Sequence, residues 1–399
     1  MLTIVLRTLT VMLSKYHDIL SINNNNYLVN TYHPSVIELD DNTLGRLRCF
    51  AKTGDAALFS EEEVSLLSKE GFLMSDFEEN NRLISIINSY NQGKQADIKN
   101  VKIDIAITPF CNFTCNYCFA NCGVDSNTST YGLDYNEFRK RIIVYVSEVL
   151  NRGAKEILVV WYGGEPMLEV EKIKDLNTEF ISLCLKHDAQ YSNIIVTNGY
   201  FLTETVVESM CSQNIRYFQI TLDGNKDVHN SRRTTRKKED TFSKIVSGIK
   251  LLLDRNFSVC LRINVDTENS YNLLDLLNFS DMNIERKYRK GNFFIDFGRV
   301  FFSDKSLSFF DYEKVYKELH FKSVELGFSD SVMPINMLSA FCPAEANSMD
   351  LMTDCFGNIY NCWHDIFTDE IISILPDVED MHNYFNVATK RNYGSVQTH

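Results

Sequence analysis

The sequence predicts an α/β fold: a partial (β/α)6 TIM-like barrel, a small N-terminal α+β module and a cysteine-bearing C-terminal extension. From residue 101 onward, apolar and β-branched runs alternate six times with helical patterns. This alternation is typical of a parallel sheet with helices outside, and polar motifs follow the runs where such strands end. Six units are too few for a closed eight-stranded barrel. We therefore expect an open or partial barrel whose chemistry lies at the carboxyl ends of its strands.

The first part of the chain, residues 1–95, forms a module of its own. Two short apolar runs within residues 27–39 flank a His-Pro pair and predict a hairpin. A helical pattern with an acidic first turn begins after Ser60. The polar segment 91–100 then resembles a linker to the barrel.

The barrel is predicted over residues 101–305. Its strands are expected at 102–108, 156–161, 193–197, 216–221, 258–264 and 293–300. Its helices are expected at 134–151, 168–188, 203–213, 241–255 and 271–283. Over residues 306–399 the alternation stops, and one helical stretch, 310–327, precedes a second group of cysteines.

Composition and charge narrow the classes of function. Hydrophobic residues make up 44% and charged residues 23% of the 399, as in ordinary globular proteins. The net charge of −13 argues against a nucleic-acid partner held by bulk charge. No apolar run reaches the roughly 18 residues of a membrane span, and Arg7 interrupts a signal-like start. We therefore expect a cytoplasmic protein without a membrane partner, with Met12 as an alternative start to Met1.

Seven of the 11 cysteines fall into two groups, and clustered cysteines in a reducing compartment more often bind metal than form disulfides. Cys111, Cys115 and Cys118 form a C-x3-C-x2-C pattern directly after the first barrel strand. Three thiolates can hold a four-iron cluster by three corners and leave the fourth iron open to a ligand. The alternatives are a zinc site, or a saturated ferredoxin-like cluster with Cys122 as fourth ligand.

This spacing, with Tyr117 before the third cysteine, resembles the cluster loop of radical SAM enzymes. Motifs that resemble that family follow later strands in the same order: GGE, TNG, and TLDG with H-x3-R. The resemblance implies a catalytic [4Fe-4S] cluster on the three cysteines and S-adenosylmethionine as cofactor. The two glycines would let backbone approach a ligand, and the glutamate would accept a hydrogen bond from its ammonium group. The residues expected to position S-adenosylmethionine are Tyr117, Gly163, Gly164, Glu165, Asn198, Thr221 and Arg233.

The resemblance also implies a reaction. The cluster, reduced by a one-electron donor such as flavodoxin or ferredoxin, would cleave S-adenosylmethionine to methionine and a 5′-deoxyadenosyl radical. That radical would abstract hydrogen from the substrate, while the protein orients the cofactor and excludes water. A plain iron–sulfur electron carrier is the rival interpretation, but a carrier has no use for the GGE and H-x3-R motifs.

The second group of cysteines resembles the opening of the SPASM extension of peptide maturases. Cys342, Gly357 and Cys362 spell C-x14-G-x4-C, with Gly357 placed where a hairpin turn would bring two cysteines together. Cys355 is a further possible ligand, so one auxiliary [4Fe-4S] cluster is expected. No cysteine follows Cys362, whereas the relatives continue with more. We therefore expect a C-terminally truncated protein, and a catalytically silent peptide-binding protein is one alternative.

The resemblance points to a ribosomally synthesised precursor peptide as substrate, with a crosslink or an epimerisation as the outcome. Sulfatase-type maturation is the enzyme alternative, but Trp363 stands where those relatives carry a proton-accepting Asp. His364 and Asp296 are candidate catalytic bases. In many peptide maturases an N-terminal module binds the precursor's leader by strand addition, and residues 20–85 are either such a module or a structural cap.

Overall fold

The computed structural model describes residues 12–14, 17–22, 25–30, 35–75, 78, 99–119, 132–289, 291–301, 303–328 and 349–388. These residues belong to two compact units, the first ending at residue 78 and the second beginning at residue 99. No helix in these ranges combines the length and the apolar composition that crossing a bilayer requires.

The first unit contains a three-stranded antiparallel sheet in the order β2-β3-β4. Its strands are β2 (His17–Ile22), β3 (Asn25–Asn30) and β4 (Ser35–Leu39), and a separate ladder joins β1 (Met12–Leu13) to β5 (Leu73–Met74). The predicted hairpin is found, because β3 and β4 pair from Asn26 with Leu39 to Asn30 with Ser35. Its helices are α1 (Asp41–Thr53) and α2 (Glu61–Lys69).

Helix α2 begins where the sequence predicts. The Ser60 side chain accepts from the Glu63 backbone N–H, and the Glu63 carboxylate accepts from the Ser60 N–H. This reciprocal pair satisfies two of the unpaired donors at the helix start. Leu44, Leu47 and Phe50 of α1 bury their side chains in the core of this unit.

The second unit is built on one nine-stranded sheet, which confirms the predicted α/β fold class. Six consecutive strands lie parallel and in sequence order. They are β6 (Asn100–Ala106), β7 (Glu156–Tyr162), β8 (Gln190–Thr197), β9 (Ile215–Thr221), β10 (Val259–Val265) and β11 (Phe293–Arg299).

The helices of the second unit follow the predicted alternation. They are α3 (Tyr135–Asn151), α4 (Val170–Lys186), α5 (Glu204–Ser209), α6 (Lys226–Arg232), α7 (Thr241–Asp254), α8 (Leu273–Asn283) and α9 (Phe309–Glu325). Alternate residues of each strand point into one apolar core with the inner faces of the helices, as Val259, Leu261, Ile263 and Val265 of β10 do. The other face of the sheet carries polar residues that include Thr221 of β9, Arg262 of β10 and Asp296 of β11.

The C-terminal segment joins the same sheet. Strand β12 (Leu351–Asp354) lies parallel to β6 on the edge opposite β11, and β13 (Asn358–Ile359) and β14 (Ser373–Ile374) continue the sheet antiparallel. Helix α10 (Met381–Ala388) packs against α3, where the rings of Phe385 and Tyr145 lie 4.9 Å apart. The sequence pattern did not predict this extension of the sheet.

Candidate functional site

The three predicted cluster cysteines lie in the loop that follows β6. Phe113, between the first two, is buried and makes a bridge with Thr235. Burial raises the pKa of the Cys111 thiol to about 12 and that of the Cys115 thiol to about 11. Both are therefore neutral thiols until a metal displaces their protons, so metal binding here is coupled to proton release.

The GGE loop packs directly on this cysteine loop. The Gly164 N–H donates to the Thr108 carbonyl at 2.7 Å, and the Glu165 N–H donates to the Phe110 carbonyl at 2.8 Å. A Cβ on Gly163 would clash with the Thr108 carbonyl, and one on Gly164 would clash with that of Phe110. The glycines therefore allow two loops to approach each other, and their contact with a ligand stays a prediction.

Glu165 is fully buried and binds the loop that follows β8. Its carboxylate accepts from the Thr197 hydroxyl at 2.5 Å, the Asn198 N–H at 2.7 Å and the Met167 N–H at 3.0 Å. Burial raises the pKa of this carboxyl, and these hydrogen bonds oppose the shift. Since a carboxylate has about four acceptor positions, one remains for a further donor.

Tyr117 connects the cysteine loop to the turn after β9, the end of α6 and strand β10. Its hydroxyl donates to the buried Asp223 carboxylate and accepts from Arg233 at 2.6 Å and from Asn264 at 3.2 Å. The Arg232 guanidinium lies over its ring, 5.0 Å from the centroid. Burial raises the pKa of Asp223, and the two neighbouring guanidinium groups oppose this. The predicted residues Tyr117 and Arg233 are thus in direct contact.

The histidine of the H-x3-R motif has a structural role. His229 is fully buried, and its Nδ1 accepts from the Asp223 backbone N–H at 3.3 Å. Burial and two nearby arginines lower the pKa of His229 well below its ordinary value, so its ring is neutral. The imidazole therefore holds the turn that presents Asp223 to the cysteine loop.

Thr221, Arg262 and Asp296 lie at the same level of three adjacent strands. Thr221 is the register partner of Arg262, which is also the register partner of Asp296. Arg262 forms an ion pair with Asp296 and donates through Nε to Asn264 at 3.1 Å. The candidate base Asp296 is therefore paired, and the chain of contacts continues from Asn264 to the Tyr117 hydroxyl.

Three residues of this network, Asp223, Arg262 and Asn264, were not predicted as site residues. The available signal was periodicity: residues 260, 262 and 264 alternate with fully apolar neighbours in β10, so they share the face that does not pack on helices. A buried polar residue on that face, close to a strand end, is a site candidate.

Cys355 and Cys362 lie at different positions of the C-terminal hairpin. Gly357 has the positive φ of +81° that the predicted turn requires, but Cys355 lies in this turn. Cys362 lies three residues beyond the end of β13, toward the open end of the hairpin. The expected auxiliary cluster at Cys342, Cys355 and Cys362 stays a prediction, because Cys342 lies outside the described residues, as does Cys122.

Asp354 organises that hairpin instead. Its buried carboxylate accepts from the backbone N–H groups of Phe356 and Asn358, from the Asn358 side chain and from the Tyr360 hydroxyl. These four hydrogen bonds satisfy the carboxylate and fix the turn that contains Gly357.

The second candidate base, His364, lies near the cysteine loop. Its ring is 5.7 Å from that of Phe119, which directly follows Cys118. Trp363 packs edge-on against Tyr162 at 4.2 Å. His364 therefore lies by the β6–β12 side of the sheet, whereas Asp296 is on β11 at the opposite edge, and the two candidate bases are not brought together.

The residues around the loop include donors that suit an iron–sulfur cluster. In the described ranges, no three His, Cys, Asp or Glu side chains converge on one metal position. A four-iron cluster binds each thiolate to a different iron, so its ligands need not converge. Beside the thiols, Asn112 Nδ2 and Arg233 Nε are buried without a hydrogen-bond partner among these residues. The donor set therefore fits an iron–sulfur cluster with a polar ligand beside it.

Comparisons with known proteins agree with this geometry. Residues 105–279 match the profile of the Radical SAM superfamily. A GTP 3',8-cyclase from Campylobacter jejuni is 26% identical over 187 residues, 47% of this chain and 54% of that protein. A cysteine-type anaerobic sulfatase-maturating enzyme from Clostridium perfringens is 30% identical over 146 residues, 35% of this chain and 37% of that protein. The chain thus spans about half the length, or less, of these curated relatives.

Among solved structures, "Native anSMEcpe with bound AdoMet" has a similar fold, with a TM-score of 0.54 and 18% identity over 73% of this chain and 84% of that one. The fold and the site of residues 105–279 together agree with a Radical SAM domain. Residues 105–279 thus form a Radical SAM domain, as the resemblance of the motifs predicted. This superfamily uses a [4Fe-4S] cluster and S-adenosylmethionine.

Proposed function

We infer that this chain is a radical SAM enzyme that modifies a peptide. The observation that carries the proposal is one loop with three thiols, enclosed by the loops that follow β7, β8 and β9. Cys111, Cys115 and Cys118 are the proposed cluster ligands. When bound, the cluster and S-adenosylmethionine supply the one-electron cleavage that starts hydrogen abstraction. A protein donor of the flavodoxin or ferredoxin kind would deliver the electron.

The chain's own residues would bind and orient the cofactor. The fourth acceptor position of Glu165 suits an ammonium group, and the unpaired Nε of Arg233 suits a carboxylate. Thr221 lies at the end of β9, beside the same network. Tyr117 holds Arg233 in place, and the glycine loop packs directly on the cysteine loop.

A peptide substrate is supported by the charge on the face of the sheet that does not pack on helices. The Arg262–Asp296 pair is partly exposed there and has no net charge. A guanidinium beside a carboxylate complements an amide, which offers one acceptor and one donor, better than a polyanionic nucleotide. Structures of anSMEcpe, which has a similar fold, are described with bound AdoMet and a peptide, at a TM-score of 0.55 in one case.

Sulfatase-type maturation is the second candidate, and the 30% identity to the Clostridium perfringens enzyme favours it. Such an enzyme would convert a cysteine or serine of a target peptide to an aldehyde. The residue after Cys362 is Trp363, where the resemblance expects an Asp, and this supports the first candidate over the second.

The test is a substrate panel with the reconstituted, anaerobically reduced protein. The panel contains synthetic peptides with central Cys, Ser, Tyr or Lys residues, peptides translated from short reading frames beside the gene, and GTP. Stimulated 5′-deoxyadenosine release with a crosslinked or epimerised peptide supports the proposal. Aldehyde formation on a Cys peptide, detected by hydrazide labelling, supports the second candidate. Consumption of GTP alone contradicts both.

A further inference from the structure

Asn198 lies in the loop that follows β8, and its side chain faces Cys111, the first of the three cluster cysteines. Its Nδ2 is 2.8 Å from Asn112 Oδ1 and 3.9 Å from Cys111 Sγ, within hydrogen-bond range for sulfur. Asn198 is 5% exposed, so water does not compete for these contacts. Cys111 Sγ also accepts from the Phe113 N–H at 3.4 Å.

The orientation of this amide is fixed by its neighbours. Asn198 Oδ1 accepts from the Tyr200 backbone N–H at 2.9 Å, so the NH2 end must face Asn112 and Cys111. The backbone N–H of Asn198 donates to Glu165 at 2.7 Å. Glu165, in turn, is tied to the cysteine loop through its own N–H and the Phe110 carbonyl. The donor is therefore held in place at both its side chain and its backbone.

We propose that Asn198 is a positioning residue that donates a hydrogen bond to the cluster-bound sulfur of Cys111 and so raises the reduction potential of the cluster. A donor at a cysteine sulfur stabilises the extra negative charge of the reduced cluster. Glu165 then has a second role, because its carboxylate orients Asn198 as well as facing the cofactor. The inference rests on the proposed cluster at Cys111.

The test is a redox titration of the cluster-loaded protein, followed by electron paramagnetic resonance. Asn198→Leu removes the donor at similar volume and keeps the backbone N–H. Tyr200→Phe is the matched control, because it removes the hydrogen bond to Glu239 from the same loop and keeps the ring contact with Phe113. We expect a more negative midpoint potential in Asn198→Leu and an unchanged one in Tyr200→Phe. Equal potentials in the wild type and Asn198→Leu, at equal iron content, would overturn the inference.

A second measurement keeps the inference testable if Asn198→Leu does not fold. Pulsed electron paramagnetic resonance of wild-type protein, labelled with 15N in its asparagine side chains, should detect a nitrogen coupled to the reduced cluster. Absence of that coupling would overturn the inference alone. A wild-type protein that loads no iron would overturn the proposed function and this inference with it.

Discussion

At the scale of single residues, the hydroxyl of Tyr117 joins the cysteine loop to the rest of the site. It donates to Asp223 and accepts from Arg233 and Asn264, and all three partners come from other loops or strands. A buried hydroxyl in this position fixes two charged side chains at once. The network therefore sets both the shape of the loop and the place of the guanidinium.

We predict that Tyr117→Phe destabilises the protein by about 1–3 kcal/mol, because it leaves buried polar partners without a hydrogen bond. Chemical denaturation of the metal-free protein measures this. Tyr135→Phe is the control, since that hydroxyl makes one long, exposed contact with Asp175 and should cost less than about 0.5 kcal/mol. Equal costs for the two variants would show that the Tyr117 network does not hold the loop.

Asp104 on β6 gives a prediction about pH. Burial raises its pKa from the ordinary 3.8 to about 6, although Lys102 Nζ lies 2.9 Å away and opposes the shift. The folded state therefore binds a proton that the unfolded state has lost between about pH 4 and pH 6. The stabilisation from this proton is present below pH 4 and is lost as the pH rises through 6.

Asp104→Asn removes this dependence. From pH 4 to pH 7, the free energy of unfolding of the variant should therefore rise relative to that of the wild type, by at most about 3 kcal/mol. Denaturant titrations of both proteins at several pH values measure it. A difference that stays constant with pH would mean that Asp104 titrates normally in the folded protein.

At the scale of elements, the glycine loop after β7 determines how closely two loops of the site pack. Gly164→Ala adds a Cβ that would clash with the Phe110 carbonyl, a backbone atom that cannot move without the cysteine loop. We predict that this variant loses most of its capacity to load iron during anaerobic reconstitution. The readout is iron and sulfide content per chain.

Gly45→Ala is the matched control for that prediction. Gly45 lies within α1, and no atom of the described residues is near its Cβ position. Alanine there should stabilise the helix by about 0.5–1 kcal/mol. Iron loading should equal that of the wild type. Normal loading in Gly164→Ala would show that the close approach of the two loops is not needed for the cluster.

Local patterns predicted most of the elements but not all of their partners. The bounds of β7, for example, follow the apolar run 156–161 to within one residue, because strand periodicity is a local property. The pairing of β12 with β6 is not local, since these strands are more than 200 residues apart in the sequence. The cysteine spacing likewise predicted the loop of Cys111, Cys115 and Cys118, because this motif is also a local feature of the sequence. It did not predict that Cys355 and Cys362 lie at opposite ends of a hairpin.

At the scale of the whole second unit, the two edges of the sheet carry different groups: an ion pair near β11 and aromatic rings near the C-terminal segment. The loops after β6 to β9 surround the thiols, and the Arg262–Asp296 pair lies on β10 and β11. At the β6–β12 side of the sheet, the rings of Phe119, Tyr162 and Trp363 connect the cysteine loop to the C-terminal segment. The neutral ion pair and the aromatic contacts of the C-terminal segment therefore lie toward opposite edges of the sheet.

The release of 5′-deoxyadenosine from S-adenosylmethionine tests the central claim most directly. The protein would be reconstituted without oxygen and reduced with dithionite, with Cys115→Ala as the test variant and Cys211→Ala as the control, because Cys211 is exposed and lies outside the site. We predict release by the wild type and by Cys211→Ala, and its loss in Cys115→Ala. Equal release by Cys115→Ala, or none from iron-loaded wild-type protein, would contradict the assignment of this loop as the catalytic centre.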